Sequence, residues 1–330
     1  MRGRVLLILV GLAFLAALPL VATSYYLYLV ELAMINVIVA VGLNLLSGNC
    51  GQISLCNASF MGIGAYCTAL CATHFGLPTL IALPASVVVS ALLGAALGYP
   101  ARRLSGLYLA LTTLGFLELV GIVIEEFPDY TGGIRGLKVP KPDIFGLTLQ
   151  SNGALYFFVF VLTTAAVVVG YNVQRSRYGR AFDAVRQSPF AAQALGIPVA
   201  RVKVIAFSLN AAFAGFAGGL LASVVGFIDP PEFGILASIQ HITFIVVGGL
   251  GSIAGSIVGA VALTALPEAL RGVQEYGELI YGLILLGTLL FLPKGLVGLA
   301  ARLELLRPAK PLAEPPPAKP PAKEPVYGAS

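Results

Sequence analysis

The side chains that most often carry out chemistry are few in this sequence and stand apart from one another. Its two histidines, His74 and His241, each lie alone among apolar residues, which is more typical of a buried or interfacial histidine than of a catalytic base. The four cysteines are Cys50, Cys56, Cys67 and Cys71. They share one largely apolar stretch without the histidine or carboxylate neighbours that a metal site needs. We therefore interpret the cysteines as buried small hydrophobic side chains and predict neither a metal site nor a bound cofactor.

Sequence motifs of catalysis are also missing. The sequence contains no Gly-x-x-x-x-Gly-Lys-Ser/Thr phosphate-binding loop, no His-Glu-x-x-His zinc motif and no Gly-x-Ser-x-Gly nucleophile elbow. These absences argue against an ATPase and against a protease. The sequence therefore predicts that the chain is not an enzyme and has no catalytic residues.

Polar side chains within apolar segments are the remaining candidates for function. Polar residues and glycines are concentrated between residues 42 and 64, which predicts irregular backbone facing protein or a water-filled passage. Glu118 is the one ionisable residue deep within an apolar run. Glu31 lies near the outer end of its run, where we expect its side chain to be within reach of water. A hydrogen-bonded contact between helices is an equally weighted interpretation of Glu118. The predicted substrate path comprises Asn44, Gln52, Ser54, Asn57, Thr112, Thr113 and Glu118.

Membrane helices are the elements that must position these side chains. The 330 residues are 58% hydrophobic and have a mean hydropathy of +0.92, which excludes a water-soluble protein. Four uncharged runs are long enough to cross a bilayer, for which about 20 residues are needed: residues 5–23, 77–100, 153–173 and 204–228. Since a β-barrel would show short alternating segments instead, the sequence predicts an all-α, polytopic integral membrane helical bundle.

About ten membrane segments are predicted. They are residues 5–23, 25–47, 58–75, 77–100, 104–124, 153–173, 204–228, 235–249, 253–267 and about 276–293. The last three are short for a full crossing, so tilted, broken or re-entrant helices are expected among them. The first follows Arg2 and Arg4, as a cleavable signal peptide would, but its length and the apolar segment directly after it favour a retained helix.

The basic residues predict the orientation of the chain. With a cytoplasmic N-terminus, sixteen of the 20 Lys and Arg residues fall on the inside, and Arg135, Lys138, Lys141 and Arg271 fall outside. This bias is the one expected from the positive-inside rule. We therefore interpret the net charge of +5 as a topology signal rather than a sign of nucleic-acid binding, and predict a multi-pass protein of a bacterial or archaeal cell membrane with both termini in the cytoplasm.

The sequence predicts one transmembrane domain, residues 1–299, with an outer loop at 125–152 and an inner loop at 174–203. In the inner loop, residues 179–195 have an amphipathic helical pattern that is interrupted at Pro189. Residues 300–330 contain eight prolines and read as a disordered cytoplasmic tail. Small residues at intervals of four predict close helix packing; they are Ala211, Gly215, Gly219, Gly251, Gly255 and Gly259.

Several segments resemble the permease subunits of branched-chain amino acid ABC importers, of the LivM-like kind. The most specific are GLNLLSG at residues 42–48, GQISL at 51–55 and ASFMGIGAY at 58–66. Further similar segments follow in order at 108–114 with Glu118, 131–137, 176–181, 191–197, 248–252 and 292–296. The resemblance covers about residues 25–300. One departure is Cys56-Asn57-Ala58, where members commonly have Gly-His-Ala, which leaves the substrate less certain.

The resemblance implies a subunit of an importer for branched-chain or related hydrophobic amino acids, with amides, urea or aromatic acids as other substrates. Alternating access would be driven by ATP bound to partner subunits. The implied partners are a homologous second permease, two cytoplasmic ATP-binding subunits and an extracytoplasmic solute-binding protein. The alternative is a secondary transporter or channel for a small polar solute, which would need inverted repeats or an ion-coupling cluster that the sequence does not display. An intramembrane enzyme ranks third.

Two docking sites follow from the implied partners. The residues predicted to couple the chain to the ATPase are Arg180, Asp183, Arg186, Ala191, Ala192 and Gly196. We expect the two alanines to let a short helix approach the partner and the glycine to end that helix. The residues predicted to meet the solute-binding protein are Thr131, Gly132, Gly133 and Arg135. A merely solvated outer loop is the alternative at comparable weight.

Overall fold

The computed structural model describes residues 15–20, 22–144, 147–148 and 151–270, with the short pieces 282–283, 286–287, 295–296 and 298. The predicted tail at 300–330, most of the predicted first segment and most of the tenth lie outside the described residues. Within the described part the chain is mostly helical, as the sequence predicts.

The first long helix is continuous with an irregular stretch. Helix α1 (Ser24–Leu43) runs directly into a π-helical turn (Asn44–Asn49), which we call the π-turn. A non-helical segment at residues 50–56 follows, and helix α2 (Asn57–Thr73) begins after it. Residues 57–62 are all buried, so α2 starts inside the bundle rather than at its surface. The irregular backbone predicted from the polar and glycine residues is therefore confirmed.

The remaining helices form the rest of the bundle. They are α3 (Thr79–Ala101), α4 (Gly106–Glu126), α5 (Pro128–Thr131), α6 (Asn152–Arg175), α7 (Arg177–Gln187), α8 (Pro189–Ala194), α9 (Val199–Val225), α10 (Ile235–Gly248) and α11 (Ile253–Ala269). Short 3-10 turns lie at Leu18–Leu20, Gly133–Arg135 and Pro230–Phe233. The all-α prediction omitted four two-residue strands: β1 (Leu137–Lys138), β2 (Asp143–Ile144), β3 (Leu147–Thr148) and β4 (Phe227–Ile228). Antiparallel pairs join β1 to β4 and β2 to β3.

Helix α9 is the centre of the packing. It contacts α3 and α2 most extensively and also lies against α1, while α11 packs on α1 and α10. The predicted small-residue stripes allow these contacts. A Cβ on Gly215 would lie 2.1 Å from Oγ of Ser90, and one on Gly259 would lie 2.0 Å from the carbonyl oxygen of Phe244. Larger side chains at these two positions would force the helices apart.

The described residues contain six helices that are long and apolar enough to cross a membrane: Ser24–Asn49, Thr79–Ala101, Gly106–Glu126, Asn152–Arg175, Val199–Val225 and Pro230–Gly248. The last includes the 3-10 turn before α10. Two other predicted segments, 58–75 and 253–267, correspond to α2 and α11, which are 17 residues long each. The structure thus supports a multi-pass membrane protein, and the full count of ten stays a prediction.

The inner loop and the outer loop lie at opposite ends of the bundle, as the predicted topology requires. At one end, α7 of the inner loop lies against the π-turn, with Asn49 Nδ2 donating to Asp183 Oδ1 at 3.0 Å. At the other end, β1 of the outer loop pairs with β4, with Leu137 opposite Ile228. These contacts bring together segments that are distant in sequence but predicted to lie on the same side of the membrane.

Candidate functional site

The non-helical segment carries the first part of the candidate site. Gln52 is 8% exposed, and its Nε2 donates to the carbonyl oxygen of Cys50 at 3.3 Å. Its Oε1 has no hydrogen-bond partner among the described residues. Ser47 Oγ donates to the carbonyl oxygen of Gln52 at 2.9 Å, and Ser54 Oγ lies 3.2 Å from Cys56 Sγ. The segment therefore presents polar atoms inside the bundle while its own side chains hold its shape.

Two neighbouring helices fix the start of α2. Thr113 of α4 accepts a hydrogen bond from the backbone N–H of Leu55 at 3.0 Å. Ser238 of α10 accepts from the N–H of Ala58 at 3.0 Å. Asn57 Nδ2 lies in hydrogen-bonding contact with His241 Nδ1 at 3.3 Å, and the Oδ1 of this asparagine has no partner in the described part of the chain.

Fully buried side chains therefore surround the break between α1 and α2. His241 is 5% exposed and hydrogen-bonded, which confirms its interpretation as a buried histidine, whereas His74 is exposed. Cys50 and Cys56 are fully buried small side chains, as predicted, but Cys67 and Cys71 are only partly buried. Among the described residues, no group of three or more histidines, cysteines or carboxylates lies together as a metal site would require.

Asn44 joins the π-turn to the turn between α10 and α11. Its Oδ1 accepts from the backbone N–H of Gly251 at 2.8 Å. Its Nδ2 has no partner among the residues that the structure describes. Asn44 is 1% exposed, so its side chain is enclosed by the bundle.

Glu118 lines a separate pocket with a volume of about 150 Å³ between α4 and the Pro230–Phe233 turn. Ser59, in the first turn of α2, also lines this pocket, which connects it to the break in the helix. The carboxylate is exposed at the surface of the chain rather than enclosed in it. Thr112 bonds within its own helix, where Oγ1 donates to the carbonyl oxygen of Tyr108 at 2.8 Å.

The predicted path is thus divided in two by the structure. Gln52, Ser54, Asn57 and Thr113 lie around the non-helical segment, with Asn44 at the adjoining π-turn, while Glu118 lines the pocket beside them. Glu31, expected near the outer end of its helix and within reach of water, is instead 4% exposed. That expectation was wrong because α1 is apolar all round, and its sequence does not tell which side faces its neighbours.

The inner loop folds as its pattern predicts. Ser176 caps α7 by accepting from the N–H of Tyr178 at 3.1 Å, and Ser188 caps α8 by accepting from the N–H of Ala191 at 3.2 Å. Pro189 is the first residue of α8, where its missing N–H costs nothing. Gly196, with φ of +80°, makes the turn after α8. The two helices and the interruption at Pro189 are therefore confirmed.

The predicted coupling residues face in different directions. Arg180, Arg186, Ala191 and Gly196 are exposed, whereas Ala192 is 2% exposed and belongs to a buried apolar cluster with Phe182. The expectation that Ala192 meets a partner surface is corrected: its small size fits α8 against its own bundle. Asp183 is half-buried, and both it and Arg186 bond to the π-turn.

Two large apolar side chains of this loop were not among the predicted coupling residues, although Leu195 belonged to the predicted amphipathic pattern. Phe190 is 86% exposed and Leu195 is 81% exposed, on either side of the alanines. The available signal was two large apolar residues within a loop predicted to lie in water. Two exposed apolar side chains this close together form a candidate contact surface.

The outer loop is tied to α4 by Thr131. This side chain is 8% exposed; its Oγ1 donates to the carbonyl oxygen of Ile124 at 2.6 Å and accepts from the N–H of Gly133 at 3.1 Å. Gly132 and Gly133 follow with φ of +77° and +55°. Arg135 is exposed. The loop also exposes two side chains that the sequence did not single out: Tyr130 is 61% exposed and Ile134 is 78% exposed.

Comparison with known proteins relates the chain to membrane permeases. A family model described as branched-chain amino acid transport system, permease component, matches residues 25–289. The chain is 34% identical over 290 residues to the high-affinity branched-chain amino acid transport system permease protein LivM of Salmonella typhimurium, which covers 81% of this chain and 68% of that protein. Identity to LivM of Escherichia coli is 34% over 316 residues, or 88% and 74% of the two chains. Identity to the permease protein LivH of Salmonella typhimurium is 26% over 294 residues, or 82% and 93%. No solved structure matches the chain significantly.

Proposed function

Because this chain belongs to the family of branched-chain amino acid transport system permease components, we propose that it is the membrane-spanning permease subunit of an ABC importer. Its substrates are branched-chain or related hydrophobic amino acids, the class in the names of the relatives LivM and LivH. The chain has no phosphate-binding loop, so ATP is hydrolysed by two partner subunits in the cytoplasm. It crosses a bacterial or archaeal cell membrane ten times.

The broken helix between α1 and α2 is the observation that carries this function. Lipid offers no partners for irregular backbone, so such a break is stable only beside protein or a water-filled passage. Here the break is lined by polar atoms without partners in the described chain, on Asn44, Gln52 and Asn57. A buried polar atom without a hydrogen bond destabilises the folded protein unless a ligand or a water molecule bonds to it. The substrate path runs along this break.

Glu118 extends the path to the pocket beside α2. The described residues that line the pocket include no Lys, Arg or His, while Glu118 and Glu125 both carry carboxylates. Glu118 makes no hydrogen bond or ion pair with the part of the chain that the structure describes. An amino acid carries an ammonium group that such a carboxylate can bind, and its apolar side chain fits beside Leu117 and Phe233.

The position of Glu118 also supports a second permease subunit. This residue lies in the middle of α4, and its side chain is exposed at the surface of the chain. A charged residue at the centre of a membrane helix costs about 3 kcal/mol when it faces lipid. Covering α4 with a homologous permease removes that cost and encloses the pocket between the two subunits.

The inner loop supplies the contact with the ATPase subunits. Phe190 and Leu195 project from α8 and its end into solvent, so they suit an apolar groove in a soluble partner. Movement of the ATPase subunits against this loop would drive alternating access of the path. At the opposite end, Tyr130, Ile134 and Arg135 form the surface for the solute-binding protein, where the charge of the arginine assists encounter.

Reconstitution tests the function as a whole. The chain is assembled in vesicles with its second permease and two ATPase subunits, with the solute-binding protein outside, and uptake of leucine, isoleucine and valine is followed. Uptake is expected to require ATP inside and the binding protein outside. Uptake that persists without ATP and follows an imposed ion gradient would favour the secondary transporter instead.

A further inference from the structure

Four polar side chains connect the inner loop to the broken end of α1. Asn49 Nδ2 donates to Asp183 Oδ1 at 3.0 Å. Gln174 Nε2 donates to the carbonyl oxygen of Gly251 at 2.8 Å and lies 3.4 Å from Asn49 Oδ1. The guanidinium of Arg186 donates to the carbonyl oxygen of Gly48. We call Asn49, Gln174, Asp183 and Arg186 the junction.

The junction brings three parts of the chain together. Asn49 ends the π-turn, Gln174 lies in the last turn of α6, and Asp183 and Arg186 lie on α7. A fourth part is the turn between α10 and α11, where the carbonyl oxygen of Gly251 accepts the hydrogen bond from Gln174. Asn44 of the π-turn accepts from the N–H of that same glycine at 2.8 Å. The two segments that flank the candidate path are therefore bonded both to each other and to the inner loop.

The fit of the junction is close. Asn49 is 3% exposed. A Cβ on Gly51 would lie 3.1 Å from Arg186 Cγ, and one on Gly251 would lie 3.1 Å from Arg186 Nη1, so the arginine stem and head fill the space between two glycines. Asp183 is half-buried and Arg186 is exposed, and both side chains bond to the π-turn of their own chain.

Hydrogen bonds suit a contact between α7 and the π-turn that must form in one conformation of the transporter and separate in another. They are directional, so they fix the position of α7 against the π-turn, and the bond to the Asp183 carboxylate is strengthened by its charge. Each also exchanges readily for bonds with water when the partners separate, since the net free energy of one such bond is small. Apolar packing of Phe182 and Val185 holds α7 to the bundle without that directionality.

We propose that Asn49, Gln174, Asp183 and Arg186 are positioning residues that transmit displacement of the inner loop to the broken helix beside the path. The inference rests on the proposed function, in which an ATPase moves this loop. It assigns Asp183 and Arg186 to transmission within the chain, whereas Phe190 and Leu195 hold the ATPase. Removing the junction should therefore separate ATP hydrolysis from transport while the complex stays assembled.

The test uses the complete transporter with Asn49→Ala, Gln174→Ala or Asp183→Ala. Three quantities are measured: ATPase subunits that co-purify, ATP hydrolysed, and substrate taken up by vesicles. We expect co-purification to be unchanged. Uptake per ATP should fall about tenfold for Asn49→Ala and Asp183→Ala, which lose a charge-assisted hydrogen bond, and by less for Gln174→Ala, whose bonds are neutral. The matched control is Gln187→Ala, an exposed amide at the end of α7, which should leave uptake per ATP unchanged.

A reciprocal exchange separates positioning from general damage. Asn49→Asp together with Asp183→Asn recreates an amide-to-carboxylate bond with the partners exchanged, and should recover most of the lost coupling. If an alanine variant fails to fold, Asp183→Asn keeps the side-chain shape and should still lower uptake per ATP, because a neutral bond is weaker.

Two results would overturn the proposal. One is loss of ATPase binding in the junction variants to the extent seen with Phe190→Ser, which would place Asp183 on the partner surface. The other is normal uptake per ATP in Asp183→Ala. Failure of the proposed function would look different, since wild-type uptake would then not depend on ATP at all.

Discussion

Single hydroxyl groups complete the hydrogen bonds of the break between α1 and α2. The first N–H groups of a helix have no partner within it, and α2 begins inside the bundle, where lipid offers none. Ser238 accepts from the N–H of Ala58, and Thr113 accepts from the N–H of Leu55 just before the helix, both at 3.0 Å. Side chains of α4 and α10 thus replace main-chain partners, and this makes the irregular backbone stable.

Replacing Thr113 with valine should destabilise the protein. Valine keeps the shape of threonine but leaves the partly buried N–H of Leu55 without a partner, which costs about 1–3 kcal/mol. Thermal unfolding of the purified subunit in detergent measures this loss. Thr164→Val is the matched control, because that hydroxyl donates only to the carbonyl oxygen of Phe160 in its own helix. Equal unfolding temperatures for the two variants would contradict the assigned role.

Replacing Glu118 with glutamine should weaken substrate binding. The amide cannot pair with an ammonium group as a carboxylate does, and losing a charged hydrogen bond lowers affinity by about 10-fold to 100-fold. Uptake kinetics should show a raised KM with a smaller change in the maximal rate. Glu126→Gln, at the end of α4 and outside the pocket, is the control. An unchanged KM would remove Glu118 from the path.

The partners of these residues could not be predicted from the sequence. Polar side chains among apolar ones identified Asn57 and Thr113 as a group worth attention. Asn57, however, bonds to His241, which lies 184 positions later, and no local pattern indicates that contact. The burial of Glu31 was missed for a related reason, since a helix that is apolar all round has no periodic signal for its inward side.

At the scale of elements, local signals predicted the inner loop well. The amphipathic pattern of residues 179–195 and its interruption at Pro189 depend on neighbouring residues, so sequence alone contains them. The orientation of α8 depends instead on how it packs against other helices. That is why the burial of Ala192 and the exposure of Phe190 became clear only in the structure.

Changing Phe190 and Leu195 together to serine should weaken the contact with the ATPase subunits. Burying one large apolar side chain contributes about 1.5–3 kcal/mol, so losing two lowers affinity at least tenfold. The permease itself should fold normally, because both side chains are more than 80% exposed. Co-purification of the ATPase subunits measures the effect.

The conservative pair Phe190→Leu and Leu195→Met is the control for this experiment, since it keeps the apolar surface. If the serine pair retained all its ATPase subunits, α8 would not be the docking element.

At the scale of the whole molecule, hydropathy predicted which segments are apolar but not how they are arranged. Helices α1 and α9 are mostly buried within the chain, whereas α3, α4 and α6 are about one-third buried or less, although all five are long and apolar. Lipid and protein neighbours are equally apolar environments, so hydropathy does not separate them. The less buried helices are consequently the surfaces left for lipid or for another subunit.

The arrangement of the ends makes the topology testable with single cysteines. Residues 134 and 187 lie on opposite ends of the bundle, on the outer and inner loops, and both are exposed. Cys50 and Cys56 are fully buried, while Cys67 and Cys71 are partly exposed, so all four are first replaced by alanine. A membrane-impermeant thiol reagent is then applied to intact cells and to inverted vesicles.

Ten segments with both termini inside require a definite labelling pattern. An Ile134→Cys variant should react in intact cells, whereas Gln187→Cys and Ser330→Cys variants should react only in inverted vesicles. The basic residues provide the physical reason, because positively charged loops are retained in the cytoplasm. If the Ser330→Cys variant reacted from outside while the N-terminus is cytoplasmic, the chain would cross the membrane an odd number of times. Reaction of 134 and 187 from the same side would show that the two ends of the bundle do not face opposite compartments, and the proposed path could not then connect them.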